Sequence, residues 1–270
     1  MNFGLPVFQE LLLRHGLLVR GALAVALIAV FALGIARDFR GWVPAAIATA
    51  IAVAALTGWL RWRRERLIRE APLPQFLKRK LRESFPHLTQ KDAALVERGL
   101  RQFFLACHRS ELRFVAMRSR VVDAMWHEFI LHTPAYRAWC ALAMGRFLHH
   151  TPSEVLGANA GHNDGLRRAW YWSCRDETID PRLPARLPLL FALDAKLEIP
   201  NGFRYEPYCH RTLGSQAAGA AGAGAVHCAA GFGDESASGD GAGFGGEASS
   251  ADDGDDGDGD GGDGCSGGGD

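Results

Sequence analysis

Two apolar runs open the chain. Residues 21–36 form the first, extended backward by Leu17, Leu18 and Val19 around a single Arg20. Residues 42–60 form the second and hold no charged side chain. About 20 apolar residues at ~1.5 Å rise each are enough to cross a hydrocarbon core of ~30 Å. The pattern therefore predicts two transmembrane helices, 17–36 and 42–60, with Arg20 reaching its guanidinium back to the interface. Trp42 and Trp59 stand at the ends of the second run, where an amphipathic indole prefers to lie. A cleaved signal peptide ending at Gly34-Ile35-Ala36 is the competing reading of the first run.

Beyond Pro72 and Pro74 the period changes to that of amphipathic helices. The spacing predicts helices over 75–85, 90–108, 112–131, 133–148, 166–174 and 189–197. Thr89 and Asp92 form a capping box before the second of these, whose apolar stripe is Val96, Leu100, Phe103 and Cys107. Thr133-Pro134 reads as an N-cap followed by proline at the first helical position, and 151–154 repeats the device. Asn163-Asp164-Gly165 reads as a turn and 203–205 as a short strand or extended arm. From Gly214 onward Gly, Ala, Ser and Asp dominate, a composition that cannot bury enough surface to order itself. The expected fold class is mainly α: an N-terminal cytoplasmic segment (1–16), two transmembrane helices, a basic juxtamembrane linker (61–71), a compact helical domain (72–211) and a disordered Gly/Asp-rich tail (212–270).

Charge sharpens this division. The 30 Lys and Arg balance 30 Asp and Glu overall, yet every basic residue lies at or before Arg211 and 12 acidic residues lie between Asp234 and Asp270. Arg61, Arg63, Arg64, Arg66 and Arg69 crowd after the second run, so the positive-inside rule places both termini in the cytoplasm. Arg61, Arg63, Arg64 and Arg66 are then expected to contact anionic lipid, at roughly 1 kcal/mol each. No zinc-finger, RNA-recognition or helix-turn-helix signature points to nucleic acid. Six cysteines contain no C-x-x-C pair, and most sit in apolar surroundings, which suggests buried free thiols.

The densest polar cluster is 122–132. Asp123 and His127 lie one helical turn apart beside Trp126, with His132 following. Tyr136 and Cys140 come next, and His149-His150 close the next expected helix. Imidazoles with a carboxylate suit zinc or iron, so Asp123, His127, His132, His149 and His150 are the candidate ligands. The plainer reading is packing: a histidine bonded to an aspartate one turn away, and histidines bonding free carbonyls at a helix end. H-E-x-x-H is absent, because position 131 is leucine. A Ser119–Asp123–His127 triad fits the spacing but has no nucleophile elbow, and the Asp-x-Asp-x-Asp-Gly string at 256–261 imitates only the start of an EF-hand loop.

These residues also carry a resemblance. Val122-Asp123, residues 125–131 including Trp126-His127, then Tyr136, Cys140 and residues 145–150 resemble the glycine-rich domain-containing proteins of bacteria, whose plant relatives share a Trp-His…Tyr…Cys pattern. The resemblance implies a membrane-anchored protein of the bacterial inner membrane with a glycine-rich tail, although aspartate replaces the cysteines usual in that tail. The sequence favours a non-enzymatic interaction module that presents a helical domain and acidic tail to a cytoplasmic protein. The alternative is a metal-binding protein or enzyme built on Asp123, His127 and His149.

Overall fold

The computed structural model describes residues 7–36, 42–111, 113–150, 160–207 and 226–228, and among these the architecture is mainly helical. Three helices come first: α1 (Val7–Arg14), α2 (Gly16–Ala36) and α3 (Trp42–Glu70). α3 has 29 residues and so runs for about 44 Å. The stretch read from sequence as a linker is the continuation of this helix as far as Glu70. Among the described residues one helix, Val43–Glu70, is long and apolar enough to cross a membrane, where the sequence suggested two.

The N-terminal segment also folds. Leu13 of α1 is buried against Leu60, Leu67, Ala71 and Leu142, which joins α1 to the far end of α3. Further along, Glu65 accepts from Arg109 at 2.6 and 3.2 Å, and Arg101 donates to the Ile68 carbonyl at 2.7 Å. The C-terminal half of α3 is thus part of the helical domain.

That domain contains α4 (Phe76–Ser84), α5 (Gln90–Arg109), α6 (Arg120–Leu131), α7 (Thr133–Trp139), α8 (Ala160–Asp176) and α9 (Leu189–Lys196). α5 is its axis. The capping box starts it as expected: Asp92 N donates to Thr89 Oγ1 at 3.2 Å, and Thr89 N donates to the Asp92 carboxylate at 2.9 Å. Its apolar stripe of Val96, Leu100, Phe103 and Cys107 is buried, and α3, α4, α6, α8 and α9 pack around it. Phe103 meets Trp126 of α6 at 4.9 Å between ring centroids, and Phe104 meets Trp139 of α7 at 4.2 Å. Such side chains contribute about 1.5–3 kcal/mol each on full burial. Cys107, Cys140 and Cys174 are buried free thiols.

Four local expectations are corrected. α6 begins at Arg120, not near 112; residues 113–118 are outside any helix and hydrogen-bonded to α8 through Ala116 N to Gly165 O at 3.0 Å and Arg168 Nη1 to Phe114 O at 2.9 Å. α7 begins at Thr133 itself, with His132 as N-cap and no side-chain cap. It does not run to 148: a π-helical turn, Cys140–Met144, follows Trp139, and Gly145 ends it with φ of +77°. A Cβ there would lie 2.4 Å from the flexible end of the Arg64 side chain, which can shift, so it is the left-handed backbone that requires glycine. Finally, Asn163-Asp164-Gly165 lies inside α8, not in a turn. A Cβ at Gly165 would meet the Phe114 ring at 2.4 Å, so this glycine lets the 113–118 strip close against the helix.

The short strand at 203–205 is observed as β1 (Arg204–Glu206), which pairs in parallel with β2 (Val226–Cys228). β2 therefore places three residues of the segment read as disordered into regular structure. The capping box at 151–154, the EF-hand-like string and the rest of the tail lie outside the described residues.

Candidate metal centre

The site is assembled on the first turn of α6, which a distant carboxylate holds in place. Asp194 of α9 is 3% exposed and accepts four hydrogen bonds: Ser119 Oγ at 2.7 Å, Arg120 N at 2.7 Å, Val121 N at 3.1 Å and Phe203 N at 2.9 Å. A carboxylate at a helix N-terminus satisfies orphan amides and opposes the positive end of the macrodipole. Ser119 is itself buried and accepts from Val122 N at 3.4 Å. With its hydroxyl committed to Asp194, the Ser119–Asp123–His127 triad is not formed.

One turn into α6, Asp123 faces outward and gathers two imidazoles. His127 Nδ1 lies 3.3 Å from Asp123 Oδ2 and 2.9 Å from the Asp123 carbonyl. His150 Nε2 lies 3.2 Å from Asp123 Oδ1. The two rings stand 4.3 Å apart, and one donor atom from each of the three residues falls within 4.8 Å of the others. Side-chain exposure falls from 50% at His127 through 33% at Asp123 to 17% at His150, so the cluster opens to solvent on the His127 side.

His150 arrives there because the helix ended early. After Gly145 the chain turns back over α6, and Tyr136 fastens it: its hydroxyl donates to the Leu148 carbonyl at 2.6 Å and accepts from Trp126 Nε1 at 3.2 Å. Trp126 then packs 4.8 Å from the His150 ring. Burial pushes the Tyr136 hydroxyl well above its ordinary range, so it stays a donor. Burial likewise raises the thiols of Cys107 and Cys140, which are therefore protonated at neutral pH and supply no thiolate ligand.

Of the five candidate ligands the structure brings together Asp123, His127 and His150. His132 stands apart, its ring 4.9 Å from Phe76, and His149 turns the other way to meet Phe147 edge-on at 4.8 Å. Trp126, Tyr136 and Cys140 form the buried support. The arginines expected at lipid have protein partners: Arg61 pairs with Glu111, Arg63 Nη2 donates to Gln9 at 2.6 Å, Arg66 Nε donates to Glu70 at 2.8 Å, and buried Arg64 donates to the Leu13 carbonyl at 3.1 Å.

Behind Trp126 and His150 lies a cavity of ≈ 510 Å³, within the ~300–1,000 Å³ usual for ligand sites. Its floor is Phe103, Cys107, Val115 and Trp126, all buried, and its mouth is Arg113, Arg146, Phe147 and His149, all exposed. Sequence reading missed this cavity, because its walls come from the 113–118 strip and the 145–150 return, both taken for helix. It missed Asp194 too, whose signal is a lone acid directly after the apolar run Leu189–Leu193.

The family model described as UCP032817-like matches residues 63–232. That is more than half of the 270 residues. The chain belongs to the UCP032817-like family. No curated protein and no solved structure matches it. The matched stretch takes in the C-terminal end of α3, the whole helical domain, the Asp123 cluster and both strands, and it begins after α1, α2 and the uncharged part of α3. Its description states no activity, and it does not mention the glycine-rich proteins that the motif resembles.

Proposed function

We propose that this UCP032817-like protein is a membrane-tethered metal-binding protein, with Asp123, His127 and His150 as the ligands of one zinc or iron ion. The observation that carries the reading is the convergence of three donor atoms within 4.8 Å, supplied by a helix and by a separate returning loop. Zinc–nitrogen bonds of ~2.0–2.1 Å put tetrahedral donors roughly 3.4 Å apart. Half-exposed His127 is free to close that difference by a small change of rotamer. Two imidazoles and one carboxylate leave coordination positions open, a set that supports a bound water or an exogenous ligand. The convergence of these three side chains favours metal binding over the interaction-module reading.

The tether rests on exposure. Leu18, Val25, Ile28 and Phe31 of α2 and Val43, Ile47 and Ile51 of α3 are exposed, and α2 lies along α3. An apolar surface of this extent is unfavourable in water and favourable in lipid. Both helices crossing as a hairpin, with the termini and the helical domain on the cytoplasmic side, is the arrangement the arginine distribution supports.

The test is elemental analysis of the full-length chain, purified in detergent without chelators. Near-stoichiometric zinc or iron is expected, and it persists in a His132→Ala variant because His132 lies outside the cluster. Metal that stays far below stoichiometry after reconstitution with either ion would refute the reading.

A further inference from the structure

The cavity behind His150 has an amphiphilic plan. Its floor is apolar and aromatic, no carboxylate lines it among the described residues, and two guanidiniums stand at its mouth. Among the described residues Arg113 uses only its Nε, on the Ser110 carbonyl at 3.4 Å, and its exposed side chain is available to an anion. Arg146 donates Nη2 to the Glu111 carbonyl at 3.2 Å while also lining the mouth.

The position of that mouth identifies the source of the ligand. Glu111 is paired with Arg61, the first residue after the uncharged run 42–60. The neighbouring Gly145 backbone packs against the Arg64 guanidinium, and Leu142 packs with Leu60. Three separate contacts therefore hold the mouth beside the end of the apolar part of α3. If α3 crosses a bilayer, the arginines sit at headgroup level and exposed Phe147 lies beside them.

We propose that this cavity binds one anionic membrane lipid, with its phosphate at Arg113 and Arg146 and one acyl chain against Phe103, Val115 and Trp126. This rests on the membrane tether proposed above and is independent of the metal. A neutral zwitterionic lipid would bring a choline group against two guanidiniums, so the site should discriminate by head charge. A free phosphate would satisfy the arginines but leave the aromatic floor unfilled.

Photocrosslinking of the full-length chain in nanodiscs tests this. The probe is a phosphatidic acid carrying a diazirine in its acyl chain, with the equivalent phosphatidylcholine as comparison. Peptides from 103–117 and 146–150 should be labelled by the anionic probe, and α2 and α3 by both. Arg113→Glu should cut cavity labelling by roughly tenfold, the scale of one charge-assisted hydrogen bond, and leave α2 and α3 labelling unchanged. Met117→Trp, which adds bulk at the cavity wall, should do the same by excluding the chain. Unlabelled cavity peptides with labelled α2 and α3 overturn the lipid site and leave the tether standing. Equal cavity labelling by both lipids, or full competition by inorganic phosphate, also overturns it. Unlabelled α2 and α3 refute the tether, and the lipid site with it.

Discussion

Asp194→Ala should lower the melting temperature of the protein by roughly 10 °C, corresponding to about 3–4 kcal/mol for a domain of this size. The substitution removes the shared acceptor of Ser119 Oγ, Arg120 N, Val121 N and Phe203 N. Each buried donor left without a partner costs about 1–3 kcal/mol. Arg120 N and Phe203 N are only part-buried and regain some of that loss from water, which keeps the total below the simple sum. Asp194→Asn keeps the shape but loses the charge that faces the α6 N-terminus, so an intermediate loss of about 1–2 kcal/mol is expected. Thermal melts followed by circular dichroism in detergent check both. An Asp194→Ala melt within ~2 °C of the parent protein would show that α6 does not depend on this carboxylate.

His150→Ala should weaken zinc binding by more than ~100-fold, exceeding the ~10–100-fold that loss of a supporting partner costs. The reason is its place in the cluster. His127 and Asp123 share one helix and approach each other regardless, whereas His150 is the only ligand brought by the returning loop. With it removed, two half-exposed donors remain and nothing fixes a third. Tyr136→Phe provides the graded comparison. It removes the hydroxyl that holds the Leu148 carbonyl two residues before His150, so affinity should fall by ~10–100-fold with all three ligands intact. Competition against a chromophoric zinc chelator measures both. Equal affinity in His150→Ala and the parent would exclude His150 as a ligand.

What the sequence disclosed was decided by local interactions. Thr89 and Asp92 are three residues apart and start α5 whatever surrounds them, and the Val96–Cys107 stripe needs only helical period to be recognised. What it concealed was decided by distant partners. Residues 112–119 are rich in helix formers such as Leu, Arg, Ala and Met, so propensity alone continues α6 backward. The structure stops it because Asp194, some 75 residues on, takes the first amides, and because Gly165 and Arg168 of α8 bind the 113–118 backbone. The same holds for Gly165, whose Asn-Asp-Gly context signals a turn while Phe114 requires its lack of a side chain inside a helix.

The candidate site divides in the same way. Asp123 and His127 are legible as a helical pair, since their spacing fixes a shared face. His150 is not, because its approach depends on the π-turn, on Gly145 meeting Arg64, and on Tyr136 capturing Leu148 O. Sequence spacing placed His149 and His150 together at a helix end. The loop instead sends one to Asp123 and the other to Phe147.

X-ray absorption at the zinc edge of the loaded full-length protein tests the central claim most directly. Two imidazole nitrogens at ~2.0–2.1 Å with carboxylate or water oxygen at ~2.0–2.2 Å is the shell that Asp123, His127 and His150 would build. A sulfur shell near ~2.3 Å, or a shell without imidazole scattering, would contradict it.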